Sequence, residues 1–288
     1  MSNHDSTGTT AFVLAGGGSY GAIQVGMLRE LVAHGVKPDF VVGASVGAIN
    51  GAYFAGNPSA EGVARLEGVW CALTRRDVFP VTLRRLFGLL FDASALVDSR
   101  ALRNLIERNL PYTTLEGAAI PIHVAATEML SGTSVRLSSG PAVEAILASC
   151  AIPAAFPPVR VGKQYLIDGA VANDTPVVTA AELGASRLIV LPTGYACALK
   201  APPATALGNA LHALNLLIAR QLVRDLEELS GKVEVITVPP LCPIAVSPYD
   251  FSRAGELIGR AAESTRRWLK SGGLSRQRIP GALRPHVD

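Results

Sequence analysis

The sequence predicts an α/β fold built on a parallel sheet, and two neighbouring segments carry this prediction. Residues 10–15 form a short apolar run typical of a buried strand. The run ends at three glycines and is followed at 20–34 by apolar residues at helical spacing. Residues 40–44 repeat the strand pattern, and residues 48–55 follow as a helix of small residues. Because consecutive strand–turn–helix units place their strands in the same direction, they predict a parallel sheet.

The rest of the chain adds strands and helices to these two units. Residues 61–111 are mainly helical in pattern, with Asp98 and Ser99 as the predicted cap of a helix at 100–109, and we interpret them as a helical insertion or lid. Prolines at 152–158 force a non-helical connector. The other predicted strands are 120–127, 133–137, 164–167, 188–191 and 233–238, and the other predicted helices are 142–149, about 205–229 and about 253–270.

The chain is predicted to form one domain. No internal repeat or linker divides it, so residues 10–270 are assigned to a single α/β domain. Residues 1–9 are predicted to be a flexible N-terminus. Residues 271–288 are polar and rich in Gly, Pro and Arg, and they are predicted to be a loosely ordered tail.

The composition excludes several classes of protein. Of the 288 residues, 49% are hydrophobic and 17% are charged, and the charged share lies below the roughly 25% of an average soluble domain. The chain is therefore predicted to be neither disordered nor a charged helical rod, and it can bury a large core. A net charge of +3, with no run of five basic residues, predicts no nucleic-acid partner.

Cysteine usage and the N-terminal residues indicate the compartment. Four cysteines lie far apart without a CxxC pair: Cys71, Cys150, Cys197 and Cys242. The N-terminal residues lack the charged and apolar regions of a signal peptide, so we expect reduced thiols and a cytoplasmic protein. Charge-free stretches at 6–28 and 40–60 are long enough to cross a bilayer, but each is centred on a glycine motif that suits a tight turn instead.

The second glycine turn carries a candidate nucleophile. From Gly43 to Gly47 the chain reads Gly-Ala-Ser-Val-Gly, which fits the GxSxG pattern of a nucleophile elbow with Ser45 at its centre. Small residues on both sides let such a serine occupy a strained strand-to-helix turn with its hydroxyl exposed. The alternative is that Ser45 only caps the following helix.

The first glycine turn has two interpretations. A glycine loop at a helix N-terminus presents free N–H groups to any anion. Gly16, Gly18 and Gly21 formally satisfy the GxGxxG pattern of a dinucleotide site, and Asp39 stands about 20 residues on, where such a site has its acidic residue. A non-enzymatic module that binds phosphate or a nucleotide is therefore one alternative. An oxyanion hole beside a nucleophile explains both glycine turns at once.

A hydrolytic serine needs a base, and the histidines are poor candidates for it. Structural or surface roles are expected for all five: His4, His34, His123, His212 and His286. The chain order of Ser45, Asp168 and His212 formally fits a Ser–His–Asp esterase, which stays an alternative. Asp168 directly follows a predicted strand, at the edge where parallel α/β folds assemble their sites. Its structural alternative is an Asx-turn.

Together these motifs resemble those of one known family. They are Ala-Gly-Gly-Gly-Ser-Tyr-Gly at 15–21, Gly-Ala-Ser-Val-Gly at 43–47, Ala-Ile-Pro-Ala-Ala-Phe-Pro-Pro at 151–158 and Asp-Gly-Ala at 168–170. In this order and spacing they resemble the patatin-like phospholipases over about 12–176. The resemblance implies a three-layer α/β/α fold with a mostly parallel central sheet. It also implies a lipid acyl hydrolase with a Ser–Asp dyad and without histidine, metal or cofactor.

Carried over by position, the resemblance makes Ser45 the nucleophile, Asp168 the general base and the glycine turn at 16–18 the oxyanion hole. The implied substrate is a lipid or other acyl ester, cleaved as by a phospholipase A or a lysophospholipase-like esterase. An acyltransferase that uses the same acyl-enzyme is an alternative. Ala15 and Tyr20 depart from the family pattern, in which many members have a fourth glycine and a Lys or Arg at these positions. Because Tyr20 is neutral, it argues against the binding of a charged lipid headgroup at this position.

Membrane contact is expected to be peripheral. The segment 83–91 is apolar and contains two arginines, and this combination suits either a lid or a membrane-facing patch. An ordinary core helix explains the same residues, so both interpretations stay open. The sequence does not predict an oligomeric state.

Overall fold

The computed structural model describes residues 8–79, 97–172, 176–199, 201–203 and 206–284. The segment 83–91, with its two interpretations, lies outside the described residues, as do positions 1–7 of the predicted N-terminus. The described parts of the predicted insertion are mainly helical on both sides of that gap. The predicted helical insertion after the second strand–helix unit is therefore confirmed for those parts.

A mixed sheet of eight strands forms the centre of the described chain. The strands are β1 (Thr10–Leu14), β2 (Phe40–Ala44), β3 (Ile122–Glu128), β4 (Ser134–Leu137), β5 (Val159–Val161), β6 (Gln164–Asp168), β7 (Arg187–Leu191) and β8 (Glu234–Thr237). Their spatial order is β5-β6-β3-β2-β1-β7-β8, and β4 also pairs with β3. The five strands from β3 to β8 in this order are parallel, whereas β4, β5 and β6 pair antiparallel. The mostly parallel sheet is confirmed.

Helices connect the strands, and six of the described helices have bounds close to those predicted. They are α1 (Gly21–Ala33), α2 (Val46–Gly56), α3 (Ala60–Ala72), α4 (Arg75–Val78), α5 (Arg100–Asn109), α6 (Ala142–Ser149), α7 (Val177–Glu182), α8 (Ala206–Leu229) and α9 (Ala254–Lys270). Helix α2 begins at Val46, two residues before its predicted start and directly after Ser45. The candidate nucleophile therefore stands at the junction of β2 and α2.

Helices cover both faces of the sheet, which confirms the three-layer α/β/α arrangement. Every residue of β1 is buried, because side chains alternate between the two faces of a strand and both faces of this one are covered. Phe12 and Leu14 belong to a core shared with α1, α2, α3 and α9. Ala11 and Val13 belong to a second core, on the opposite face, shared with α7 and α8.

Two details concern the start of α5 and the end of the chain. Ser99 is at the N-cap position of α5 but makes no side-chain capping bond, whereas Asp98 Oδ1 accepts from the N–H of Arg100 at 2.9 Å, so of the two predicted residues Asp98 supplies the bond. In the described part of the tail, Leu283 is buried in the second core, and Tyr195 Oη donates to the carbonyl oxygen of Arg284 at 2.9 Å. Most of the other described tail residues are exposed, and the loose order of the tail stays a prediction.

Candidate active site

Strand register brings Ser45 and Asp168 together although 122 residues separate them in the chain. Ala44, the last residue of β2, pairs with Ala125 of β3, and Asp168, the last residue of β6, pairs with the next residue, Ala126. Ser45, which follows Ala44, and Asp168 therefore lie beside the same part of β3, on its two sides. Ser45 Oγ donates a hydrogen bond to Asp168 Oδ2 at 2.8 Å.

The turn at Ser45 has the strained geometry expected of a nucleophile elbow. Ser45 has φ +52° and ψ −126°, a backbone conformation that residues with a side chain rarely adopt. A Cβ at Gly43 would lie 2.4 Å from the carbonyl oxygen of Gly47, and one at Gly47 would lie 2.2 Å from that of Leu14. Both glycines of the motif are therefore required by close backbone approach. The Ser45 side chain makes no capping bond to α2, so its hydroxyl serves the contact with Asp168 instead.

Ser149, at the end of α6, binds the backbone of the nucleophile elbow through its hydroxyl. The N–H of Ser45 donates to Ser149 Oγ at 2.8 Å, and that hydroxyl donates onward to the carbonyl oxygen of Ala125 at 2.5 Å. Ser149 is completely buried. Sequence reasoning missed this residue, because a serine in the last turn of a helix has no distinguishing pattern.

Replacing Ser149 with Ala is expected to lower the free energy of unfolding by about 1–3 kcal/mol, because it leaves the buried N–H of Ser45 and the carbonyl of Ala125 without their partner. Urea unfolding measures this loss. Ser138→Ala is the control: its hydroxyl bonds only the half-buried ring of His123 from an exposed position, so we expect a loss below about 0.5 kcal/mol. Equal losses in the two variants would contradict the assigned role of Ser149.

Asp168 is held by both of its carboxylate oxygens and is only 1% exposed. Oδ2 accepts from Ser45, and Oδ1 accepts from the N–H of Ala170 at 2.9 Å, so the Asx-turn alternative and the contact with Ser45 are both present. Thr127 Oγ1 donates to the main-chain oxygen of Asp168 at 2.8 Å. Burial raises the pKa of Asp168 to about 7, while its bonds to Ala170 and Ser45 act in the opposite direction. The group can therefore both release and accept a proton near neutral pH.

The first glycine turn presents free N–H groups beside Ser45. Gly17 has φ +149° and Gly18 has φ +60°, and Cβ atoms there would lie 2.2 Å from Thr193 Oγ1 and 2.5 Å from the carbonyl oxygen of Pro248. Both positions therefore require glycine. The N–H groups of Gly16, Gly17 and Gly18 donate to no other described residue. Gly18 and Ser45 line the same cavity, which places the glycine turn next to the candidate nucleophile.

A buried polar network holds this turn in place. Gln24 Nε2 donates to the carbonyl oxygens of Ala15 and Leu191, at 2.8 and 2.9 Å. Asn50 Nδ2 donates to Gln24 Oε1 at 2.9 Å, and Trp70 Nε1 donates to Asn50 Oδ1 at 2.8 Å. Gln24 and Asn50 are completely buried, so every bond in the network is shielded from water. The network ties the start of the turn to α1, α2, α3 and β7.

Tyr20 holds the segment after β8 through its hydroxyl. Its side chain is completely buried, and Oη donates to the carbonyl oxygen of Val246 at 2.5 Å. Burial raises the pKa of Tyr20 far above its ordinary value, so the hydroxyl stays protonated. Tyr20 therefore fastens the segment after β8 to the glycine turn.

An apolar cavity opens beside Ser45. Its described lining contains no charged side chain, and Ser45 and Gly18 form part of its wall. The other lining residues are mostly aliphatic or aromatic and include Ile49, Tyr53, Leu66, Val69, Trp70, Leu102, Leu105, Ile106, Phe156 and Phe251. A concave site with hydrocarbon and aromatic walls and few polar groups favours an apolar ligand.

The described histidines and Asp39 do not join the site. His34 is exposed at the end of α1, and His123 Nδ1 lies 2.7 Å from Ser138 Oγ. Ser45 makes its side-chain hydrogen bond to Asp168 and to none of the described histidines. Asp39 accepts from the N–H of Thr10 at 2.7 Å, at the start of β1. The start of β1 lies one strand length, about 16 Å, from the glycine turn. Asp39 is therefore too far from the turn to serve as the acidic residue of a dinucleotide site, and that interpretation of Asp39 is wrong.

The described residues contain no group of three or more His, Cys, Asp or Glu side chains arranged to hold a metal ion. Among the same residues, every helix is too short or too polar to cross a bilayer.

The chain is similar to known proteins in sequence. A family model described as "Patatin-like phospholipase" matches residues 12–181, which include both glycine turns and Asp168. An uncharacterized NTE family protein of Mycobacterium tuberculosis is 28% identical over 189 residues, which are 65% of this chain and 49% of the relative. Human patatin-like phospholipase domain-containing protein 6 is 27% identical over 188 residues, 65% of this chain and 13% of the relative. The chain thus spans about half of the first relative's length and much less of the second's.

The fold also matches a solved structure. Human GIVD cytosolic phospholipase A2, in complex with a methyl gamma-linolenyl fluorophosphonate inhibitor and terbium chloride, has a TM-score of 0.52 to this chain at 11% sequence identity. The match covers 96% of this chain and 61% of the solved one. It shows that the two share a fold.

Proposed function

The chain belongs to the patatin-like phospholipase family, and from this premise we propose that it is a lipid acyl hydrolase with Ser45 as nucleophile and Asp168 as general base. The observation that carries the proposal is the 2.8 Å hydrogen bond between these two buried side chains at the wall of an apolar cavity. A carboxylate that accepts the proton of a serine hydroxyl is the arrangement that general-base activation needs.

The first half of the reaction forms an acyl-enzyme. Ser45 Oγ attacks the ester carbonyl carbon while its proton passes to Asp168 Oδ2 in the same step, because a free alkoxide would be too basic to form. The N–H groups of Gly17 and Gly18 hold the oxyanion, and the N-terminus of α2 adds a favourable dipole. Asp168 then gives its proton to the leaving alcohol oxygen as the ester C–O bond breaks. The pKa of Asp168, near 7, suits both transfers.

The second half releases the acid. A water molecule attacks the acyl carbon and gives its proton to Asp168, and the oxyanion forms again at the glycine turn. When the bond from the acyl carbon to Ser45 Oγ breaks, the serine takes the proton back from Asp168. The products are an alcohol and a carboxylic acid, and the enzyme returns to its starting state. An acyltransferase would differ only in the acceptor that replaces water.

The cavity supports a substrate with a long acyl chain. Its described lining offers hydrocarbon and aromatic surface but no cation for a phosphate and no carboxylate for a ribose. A hydrocarbon chain gains about 0.8 kcal/mol for each methylene that it buries there. This argues for an acyl ester and against the nucleotide-binding alternative.

Fatty-acid release from a panel of phospholipids, lysophospholipids and neutral lipid esters tests the proposal. We expect release from at least one class, together with covalent labelling of the protein by a fluorophosphonate. Transfer of the acyl group to an added alcohol, in preference to water, would favour the acyltransferase. If the protein neither releases fatty acid nor accepts the label, the hydrolase proposal is wrong.

Filling the cavity should shorten the preferred acyl chain. Val69 lines the cavity from α3, and in Val69→Trp the indole would occupy space that a long chain needs. We expect the ratio of p-nitrophenyl palmitate to p-nitrophenyl butyrate hydrolysis to fall about tenfold or more, the loss of roughly two buried methylenes. Leu217→Trp, at a position 62% exposed on α8, is the matched control and should leave the ratio unchanged. An unchanged ratio in Val69→Trp would contradict the cavity's role as the acyl site.

The turn between β3 and β4 supports peripheral membrane contact. Met129 is 51% and Leu130 is 84% exposed, and the carboxylate of Glu128 accepts from the N–H groups of Leu130 and Ser131, which fixes the tip. The turn lies three residues beyond the position on β3 that pairs with Asp168. Exposed cations stand on the neighbouring strands and turns: Arg136, Arg160 and Lys163. An apolar tip among cations suits an anionic lipid surface.

Leu130→Asp is therefore expected to weaken co-sedimentation with phosphatidylserine vesicles about tenfold, since it removes apolar area and adds a repelled charge. Leu217→Asp, which places the same change at another exposed leucine, is the control. If both variants bind vesicles equally well, the β3–β4 turn is not the contact.

A further inference from the structure

Cys197 and Cys242 come together although sequence reasoning placed all four cysteines apart. Cys197 lies in the segment after β7 and Cys242 in the segment after β8, and these strands are parallel neighbours. Their Sγ atoms are 3.1 Å apart, and no disulfide joins them. A disulfide has its sulfurs about 2.05 Å apart, so closure needs a movement of roughly 1 Å in two surface segments.

The two segments that carry these cysteines also hold the glycine turn. From the segment after β7, Thr193 Oγ1 donates to the carbonyl oxygen of Gly16 at 2.5 Å. From the segment after β8, the carbonyl oxygens of Pro248 and Val246 accept from the N–H of Ser19 and the hydroxyl of Tyr20. A disulfide between these two segments would therefore link the two parts of the chain that hold the glycine turn.

We propose that Cys197 and Cys242 form a reversible disulfide that responds to hydroperoxides. The thiolate of Cys242 attacks one oxygen of hydrogen peroxide, the O–O bond breaks, and the products are a sulfenic acid and a hydroxide. The thiolate of Cys197 then attacks the sulfenic sulfur, and the S–O bond breaks to release a second hydroxide. The two protons that the thiols lost on ionisation convert the two hydroxides to water. Two thiols are oxidised by two electrons, one peroxide is reduced, and a dithiol reverses the change.

The surroundings of the four thiols favour disulfide formation between Cys197 and Cys242 over oxidation of Cys71 or Cys150. Cys242 is exposed, so a peroxide can reach it. The guanidinium of Arg260 donates to the carbonyl oxygen of the adjacent Pro243 at 2.8 Å, so a cation binds the chain segment that carries Cys242. Cys150, by contrast, is buried close to Asp168, and both burial and that carboxylate raise its thiol pKa. Cys71 is exposed but lies in α3, on a different part of the chain.

Peptide mapping after oxidation tests the proposal without any assay of hydrolysis, so its outcome is independent of the proposed function. The reduced protein is treated with a slight excess of hydrogen peroxide, remaining thiols are alkylated, and the peptides are identified by mass spectrometry. We expect a cross-linked peptide that joins Cys197 to Cys242, a loss of about 2 Da in the intact mass, and full recovery of both thiols with dithiothreitol.

Thermal unfolding gives the second measurement. Cys197 and Cys242 are 45 positions apart in the chain. A disulfide that closes this loop should raise the midpoint of thermal unfolding of the oxidised protein by about 5–10 °C. Cys242→Ser and Cys197→Ser should lose this response, whereas Cys71→Ser should keep it. Oxidation confined to Cys71, disulfide-linked dimers, or conversion of Cys242 to a sulfonic acid without a cross-link would each overturn the proposal.

Discussion

The Ser45→Ala protein is expected to hydrolyse p-nitrophenyl esters at least about 10³-fold more slowly than the wild type while unfolding at a similar temperature. The substitution removes the only oxygen at this position that can form an acyl-enzyme. The strained backbone at φ +52° is imposed by the close approach of Gly43 and Gly47, and alanine would carry the same strain as serine. The fold should therefore persist without its nucleophile. Turnover of p-nitrophenyl esters and a thermal melt measure the two quantities.

Ser149→Ala is the matched control for this experiment. It also removes a buried hydroxyl that touches the elbow, but it leaves Ser45 Oγ and its bond to Asp168 in place. Ser149→Ala should still be labelled by a fluorophosphonate, and Ser45→Ala should not. Residual turnover in Ser45→Ala within tenfold of the wild type would show that another residue is the nucleophile.

The strand–turn–helix units were predictable because their signals are local. Three glycines after one apolar strand and GxSxG after the next determine where β1 and β2 end and where α1 and α2 begin. The contact of Ser45 with Asp168 is a different case, since no local pattern measures a distance between residues so far apart in the chain. It depends on the register of β2 and β6 on β3, which the motifs indicated only through a family resemblance.

The supporting residues were not predictable from the sequence. Gln24 and Asn50 stand among apolar residues of α1 and α2, where a polar side chain ordinarily faces solvent. Only the packing of four elements around the glycine turn gives their amides partners. The three-residue strand β5 and the six-residue helix α7 are too short to show a periodic pattern.

The site combines a buried base with an apolar cavity, and this combination has a consequence for stability. Because Asp168 is buried without a cation among its hydrogen-bond partners, its ionised form is disfavoured in the folded protein. The same burial makes it a stronger base than an exposed carboxylate. The protein therefore loses stability at the pH where the proposed reaction needs the base.

Replacing Asp168 with Asn is expected to lower turnover by about 10²–10⁴-fold, the usual contribution of a general base. Asparagine keeps the size of the side chain and an oxygen that can accept from Ala170, but it cannot take a proton. In the wild type, turnover should fall as the pH drops below about 7, since protonation of Asp168 removes the base. If Asp168→Asn keeps its activity while His212→Gln loses it in a folded protein, the Ser–His esterase takes the place of the dyad.

The same variant should be more stable than the wild type, and the gain should grow with pH. The folded-state pKa of about 7 lies above the ordinary 3.8, so the folded protein binds this proton more tightly than the unfolded chain does. The stability that this binding contributes is full below about pH 4 and is lost as the pH rises to about 7, with a total of roughly 4 kcal/mol as an upper limit. The asparagine side chain of the variant carries no charge and avoids this loss. Urea unfolding should therefore show an advantage for Asp168→Asn that increases from pH 5 to pH 7 and then levels off.

Asp225→Asn is the control that separates stability from catalysis. Asp225 is 5% exposed and lies in α8, the helix that packs against the second core of the sheet. Burial raises the pKa of Asp225 to about 6. Its neutral variant should gain stability above about pH 6 in the same way while keeping full activity. Loss of activity in Asp168→Asn alone, with a stability gain in both, identifies Asp168 as the base. Equal activity in the two variants would mean that Asp168 is a buried structural carboxylate.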